Sequence, residues 1–147
     1  MRLFEVQVVD WQEAAPQLAR VRRAVFIEEQ GVPEALEWDG EDAAAVHVLA
    51  RAANGEPIGT GRLLMHGGLA HIGRMAVVKP WRGRGVGSAL LARLLSEARR
   101  LGCWEAKLSA QTHALPFYAR FGFRPEGEVF LDAGIPHRRM HRLLSQR

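Results

Sequence analysis

The stretch Ile72–Ser88, IGRMAVVKPWRGRGVGS, constrains this chain more than any other. Met75, Ala76, Val77 and Val78 form a short apolar run that suits a strand buried on both faces. Lys79-Pro80 ends it, because proline brings no N–H to a ladder. Arg82-Gly83-Arg84-Gly85-Val86-Gly87 follows, and from Ser88 onward apolar residues recur with a helical period. The glycines let the backbone turn tightly and approach a ligand closely. The free N–H groups of the helix's first turn, at the positive end of its dipole, then face outward as an anion site. Arg82 and Arg84 add guanidinium groups whose geometry matches phosphate oxygens. A diphosphate is the guest such a loop suits.

Spacing narrows which diphosphate. A Walker loop needs Gly-Lys before Ser or Thr, and the chain has no such triplet. The dinucleotide fingerprint needs a glycine three after the second glycine of its G-x-G pair; the candidates there are Ser88 and Leu90, so both registers fail. Arg-x-x-Gly-x-Gly is met by Arg82, Gly85 and Gly87. Alone, it also fits a basic surface turn, so the rest of the chain has to decide.

The 147 residues predict one domain, 1–147. No apolar run approaches the roughly 18 to 20 residues of a membrane span, and Met1–Asp10 alternates instead of forming a signal segment. The single cysteine, Cys103, gives neither an internal disulfide nor a metal cluster, so a cytoplasmic protein without a metal is expected. The formal charge is +4, but the charges are segregated. Glu28–Asp42 holds seven acidic residues and no basic one, whereas Arg74–Arg100 holds seven basic residues and one acid, Glu97. Such a chain is expected to meet oppositely charged ligands at its two ends. The acidic stretch and the lack of an aromatic-basic stacking platform count against nucleic-acid binding.

Leu3–Val9 alternates as a first strand. Asp10 is the expected N-cap of a helix of about three turns carrying Leu18, Val21 and Val25, with Pro16 in an early turn; it ends before Gly31. The acidic stretch reads as a loop with a short helical turn. Ala45–Ala53 and Ile58–His66 are strands joined by Asn54-Gly55, the strongest hairpin signal present. Leu69–Val78 is the fourth strand, and the helix opening at Val86 ends at Gly102. Trp104–Ala110 is a fifth strand, parallel to the fourth across the helical crossover. His113–Phe121 is a short helix, and two further strands follow, from Phe123 and over Pro136–Leu144.

That order, with R-x-x-G-x-G after the fourth strand, resembles the GCN5-related N-acetyltransferases, the GNAT family. Phe117-Tyr118-Ala119-Arg120-Phe121-Gly122-Phe123 is similar to the family's F-Y-x-x-x-G-F. Val25–Pro33, Leu108–Gln111 and Gly134–His137 resemble its ElaA/YjcF branch. The resemblance implies an α/β fold, an α-β-α sandwich around one mixed, mostly antiparallel sheet of about seven strands, splayed between strands 4 and 5. It also implies acetyl-CoA as donor, with Met75, Ala76 and Val77 along the pantetheine arm and Arg82, Gly83, Arg84, Gly85, Val86, Gly87 and Ser88 around the pyrophosphate. Tyr118 matches the family's general acid. The implied reaction is N-acetylation of a primary amine, on a small molecule or a protein, by direct attack.

The residue that takes the amine's proton stays open. Glu29 and Asp39 are the nominated bases, alongside Glu28 and Glu37, with His113 and His137 as further candidates. Gln111, Arg62 and His47 are candidate acceptor contacts. A catalytically silent acyl-CoA-binding regulator is the alternative function, and assembly as a homodimer is left open.

Overall fold

The computed structural model describes residues 3–144. Seven strands, β1 (Phe4–Val9), β2 (Val46–Ala52), β3 (Pro57–His66), β4 (Leu69–Val77), β5 (Glu105–Gln111), β6 (Arg124–Asp132) and β7 (Ile135–Leu143), form one sheet in the order β1-β2-β3-β4-β5-β7-β6. Among the described residues only the β4–β5 pair is parallel. Four helices complete the fold: α1 (Trp11–Arg22), α2 (Glu34–Glu37), α3 (Val86–Arg100) and α4 (Leu115–Ala119). Among the described residues no helix is long and apolar enough to cross a membrane.

Strand alternation assigns the layers. Leu49 packs on Ala14 and Leu18 of α1, while its neighbours Val48 and Ala50 pack with Leu90, Leu91 and Leu94 of α3. Successive strand residues point to opposite faces, so α1 and α3 cover opposite sides of the sheet. Glycine on β3 lets α3 approach closely: a Cβ on Gly61 would lie 2.7 Å from Leu94 Cδ1 and 2.9 Å from Met75 Sδ. The expected α-β-α sandwich around a mixed, mostly antiparallel sheet is the fold observed.

Three local features depart from the simple pattern. Pro16 lies in the second turn of α1, where it removes the N–H that would bond Gln12. Asp10 has cap backbone angles, but its side chain makes no capping bond. After Arg22 the helix widens into a π-helical segment over Arg23–Glu29, closed by Gln30 N–H donating to Val25 O at 3.0 Å. At its end Glu29 meets Arg82 and Gln30 meets Gln111.

β4 is irregular where it matters. Thr60 pairs with Ala76 and Arg62 with Gly73, so one β3 residue, Gly61, faces two of β4, Arg74 and Met75. This is a β-bulge. Arg74 takes it up with φ +51, a left-handed conformation that costs roughly 1–2 kcal/mol for a residue with a Cβ. Thr60 Oγ1 donates to Arg74 O at 3.0 Å and pins the distortion.

What holds Arg74 there is a cluster of three arginines and three carboxylates. Arg22, 1% exposed, donates from Nε to Glu37 Oε2 at 2.8 Å and from Nη1 to Asp42 Oδ1 at 2.7 Å. Arg62 donates to both oxygens of Asp39, at 3.0 and 2.8 Å, and to Asp42 Oδ1 at 3.1 Å. Arg74 Nη2 donates to Glu37 O at 3.0 Å, and its Nε lies 3.0 Å from Glu37 Oε2 as an ion pair without hydrogen-bond alignment. Hydrogen bonds from Arg62 hold Asp39 down at about 2. Burial alone would raise Asp42, but Arg22 and Arg62 outweigh it and lower it. Beneath the cluster, desolvation lowers His47; its Nε2 lies 2.8 Å from Asp42 O and its ring packs on Trp11.

Removing one member should leave buried charges without a partner. We expect Arg22→Met to lose about 3–5 kcal/mol in denaturant unfolding. Arg23→Ala, which breaks an exposed pair with Glu34, should change stability by less than about 1 kcal/mol. The sign with pH follows from Asp39. Its carboxyl is depressed in the fold from 3.8 to about 2, so its contribution is present above 3.8 and is lost as pH falls toward 2.

Candidate active site

β4 and β5 separate along their length. They pair from Leu69 with Glu105 as far as Ile72 with Leu108. Beyond that point Gly73–Val77 stays with β3, and Ser109–Gln111 stays with β7. The backbone edge of β4 past the bulge therefore faces an opening, not a neighbouring strand. A cleft of about 1020 Å³ fills this splay, with Met75, Ala76 and Val77 on one side and Ser109, Gln111 and Tyr118 on the other. The π-helical segment forms its rim, and Gln30 bridges the gap to Gln111 by reciprocal amide hydrogen bonds of 3.2 and 2.9 Å.

At one end of the cleft lies the glycine loop. After Val77 a 3-10 turn, Lys79–Trp81, leads to Arg82, and Gly83 and Gly85 take φ of +75° and +83°. Those angles are why glycine stands at both positions. Gly85 is the N-cap of α3, offers no side-chain cap, and accepts the first helical bond from Ala89 at 3.1 Å. The first-turn N–H groups, from Val86 to Ser88, therefore have no helical acceptor. The Val86 side chain itself is buried in the core. The cleft reaches this loop at Arg82.

The two loop arginines differ from their expected use. Arg82 donates from Nε to Val77 O at 2.8 Å and from both Nη atoms to the Glu29 carboxylate, at 2.6 and 2.5 Å. It ties the π-helical segment to the loop, so its charge is already matched. The hydrogen bond from Arg82 also lowers Glu29. Arg84 stacks over Trp81 with its guanidinium carbon 4.9 Å from the ring centre.

The acidic stretch was expected to meet a positively charged ligand. Five of its seven carboxylates are instead paired with arginine: Glu29, Glu34, Glu37, Asp39 and Asp42. No sequence rule reveals such pairs, because their partners lie 11 to 53 residues away. Glu28 is exposed on the helix and does not line the cleft, and neither does His47, buried under α1. Arg62, a candidate acceptor contact, lines the cleft but spends its donors on Asp39 and Asp42.

Tyr118 projects from α4 into the cleft, 8% exposed. Among the described residues its hydroxyl has no hydrogen-bond partner, unusual for a tyrosine so buried. Desolvation pushes it up to about 12. His113 is exposed at the cleft wall; His137, 9% exposed, lines the wall formed by β7.

An open strand edge beside a glycine-capped helix, with a buried phenol across the gap, is the framework of an acyl-transfer site. Over residues 11–144 the chain matches the model of the acetyltransferase (GNAT) domain, and it belongs to that family of acyltransferases. It is 40% identical over 121 residues to the Bacillus subtilis protein named uncharacterized N-acetyltransferase YjcF, covering 82% of this chain and 86% of that one. Two solved structures superpose with a TM-score of 0.84, each covering 95% of this chain and 99% of the other. One is an acyl-CoA N-acyltransferase from Pseudomonas aeruginosa, 33% identical, and the other is Escherichia coli ElaA, 31% identical. The expected branch is thereby the one the chain resembles.

Tyr118 is the chain's one tyrosine, so its phenolate absorbance can be followed without interference. We expect the native protein to titrate near 12 and the denatured chain near the ordinary 10. Because burial raises the native value, folding stability should be unaffected below pH 10 and fall as pH rises toward 12. A native titration near 10 would place the hydroxyl in bulk water.

Proposed function

We propose that this enzyme transfers the acetyl group of acetyl-CoA to a primary amine by direct attack of the amine on the thioester. The observation that carries the reading is the free edge of β4 past Ile72, open to a cleft that reaches the glycine loop before α3 at Arg82. A pantetheine arm holds two amides, and an extended ligand of that kind bonds to such an edge as an added strand. Met75, Ala76 and Val77 offer it backbone donors and acceptors, and the bulge turns a β4 N–H toward the thioester carbonyl, where it stabilises developing negative charge. Gly83, Gly85 and Gly87 admit the pyrophosphate, and Arg84 with the N–H groups of Val86, Gly87 and Ser88 binds it. Arg82 would reach it only by leaving Glu29.

Tyr118 acts at sulfur. A thiol has a pKa of about 8.5 and the buried phenol one of about 12, so full transfer to the thiolate is uphill by about 5 kcal/mol. The phenol therefore stays protonated and donates a hydrogen bond to sulfur as the C–S bond breaks. Neither nominated carboxylate suits the amine's proton. Asp39 is held at about 2 by Arg62, and Glu29 is lowered by Arg82; both have low proton affinity as they stand.

The test separates ligand approach from folding. A Cβ on Gly87 would meet Phe117 at 3.6 Å, an ordinary contact, so the fold tolerates a side chain there. Aspartate in a helix's first turn favours the helix but repels a diphosphate. We expect Gly87→Asp to keep or raise the Tm of the free protein while abolishing most of the Tm increase that acetyl-CoA gives the wild type. An undiminished increase would remove the pyrophosphate from this loop. Release of free CoA with a panel of benzylamine, spermidine, glycinamide and lysinamide then tests the transfer itself.

A further inference from the structure

Of the carboxylates lining the cleft, Glu29 and Glu37 are committed to arginine, Glu126 faces Lys107 at 3.7 Å, and Asp132 is exposed on β6, which leaves the amine's proton without a buried carboxylate to take it. We propose that His137 is the general base of the transfer reaction, taking that proton at Nε2; this rests on the acetyl-CoA reading above. His137 Nδ1 lies 2.7 Å from the backbone carbonyl of Ile135. A carbonyl oxygen only accepts, so Nδ1 carries the hydrogen, and in the neutral ring Nε2 is the bare lone pair. Among the described residues Nε2 has no hydrogen-bond partner.

The ring is fixed as well as correctly tautomeric. It stacks on Phe130 of β6, 6.0 Å between centres and 28° from parallel. Its strand position places it in the site. His137 pairs with Gln111 at the end of the β5–β7 ladder, and directly opposed residues project from the same face. Gln111 is the last residue of β5, joined across the cleft to Gln30, and the chain continues from it through a 3-10 turn into the helix of Tyr118. A base on β7 and a phenol on α4 thus line one cleft opposite the open edge of β4. The charged and titratable groups that line the cleft from the neighbouring elements are Arg139 on the same strand, Glu126 and Asp132 on β6, Lys107 on β5 and His113 on the 3-10 turn. His113 is exposed, and among the described residues it has no hydrogen bond that fixes its tautomer.

The proton balance closes. An ammonium acceptor gives one proton to Nε2, directly or through a water, and its freed lone pair forms the C–N bond to the thioester carbonyl carbon. The C–S bond breaks with its electron pair on sulfur, held by the Tyr118 hydroxyl. The nitrogen's second proton passes to the thiolate as the amide forms. The products are the N-acetyl amine, free CoA thiol, and one proton on His137 that returns to solvent.

The experiment uses the full chain with acetyl-CoA and the fastest acceptor of the amine panel. His137→Gln keeps a polar atom near Nε2 but accepts no proton at neutral pH. We expect kcat/KM at pH 7 to fall by about 10²-fold or more, with the acetyl-CoA-induced Tm increase retained. The deficit should shrink as pH rises and more amine arrives unprotonated. In His137→Ala, added imidazole should restore part of the rate, more for imidazoles of higher basicity. Wild-type rates in His137→Gln with an unaltered acid limb overturn the proposal. So does a loss that neither rising pH nor imidazole relieves, which would leave the ring as packing against Phe130. If the wild type itself shows no Tm increase and no transfer, the donor assignment fails first and takes this one with it.

Discussion

Three guanidinium groups against three carboxylates hold the working end of this molecule in shape. Arg22 comes from α1, Arg62 from β3 and Arg74 from the bulge of β4, and all three converge on Glu37, Asp39 and Asp42 of one short segment, from the end of α2 to the 3-10 turn that follows. Such a cluster adds little net stability over well-packed apolar residues, because desolvation offsets the attraction. What it supplies is position. The loop that borders the cleft cannot lift away without stranding charge, and Arg74 cannot relax from its left-handed angle without releasing Glu37. The bulge sits just past Ile72, where β5 has moved away from β4.

A second link, between Glu29 and Arg82, joins the π-helical rim to the glycine loop. The rim and the loop, 53 residues apart in sequence, meet there at one end of the cleft. The Gln30–Gln111 amide pair closes the same rim from the opposite wall. The cleft is thus bounded by polar contacts that a ligand could exchange one for one, on a sheet whose apolar core stays fixed beneath it.

Much of this was legible in the sequence. The alternation of Phe4–Val9, the Asn54-Gly55 hairpin and the apolar period of α3 each report a local preference, and each element formed within one or two residues of expectation. The parallel β4–β5 pair followed from a helix lying between two strands. The glycine loop was readable because positive φ at Gly83 and Gly85 demands glycine itself. What escaped depends on registry and distance. The bulge at Arg74 exists only in the pairing with β3, and the π-helical segment keeps an ordinary amphipathic pattern. The acidic run looked like a surface field because its arginine partners arrive from α1, β3 and β4. His47 likewise read as a site histidine and turned out to be buried under Trp11. The orientation of His137 hinges on a carbonyl two residues away, which no side-chain pattern announces.

The most direct measurement is a crystal structure with a ketone analogue of acetyl-CoA, in which a methylene replaces the thioester sulfur and the acetyl group cannot leave. The account predicts the pantetheine arm running along Gly73–Val77 between β4 and β5, the ketone oxygen within hydrogen-bond distance of a β4 N–H at the bulge, and the pyrophosphate on the N–H groups of Val86–Ser88. An analogue bound outside the splay, with Gly73–Val77 free of ligand contacts, would contradict it.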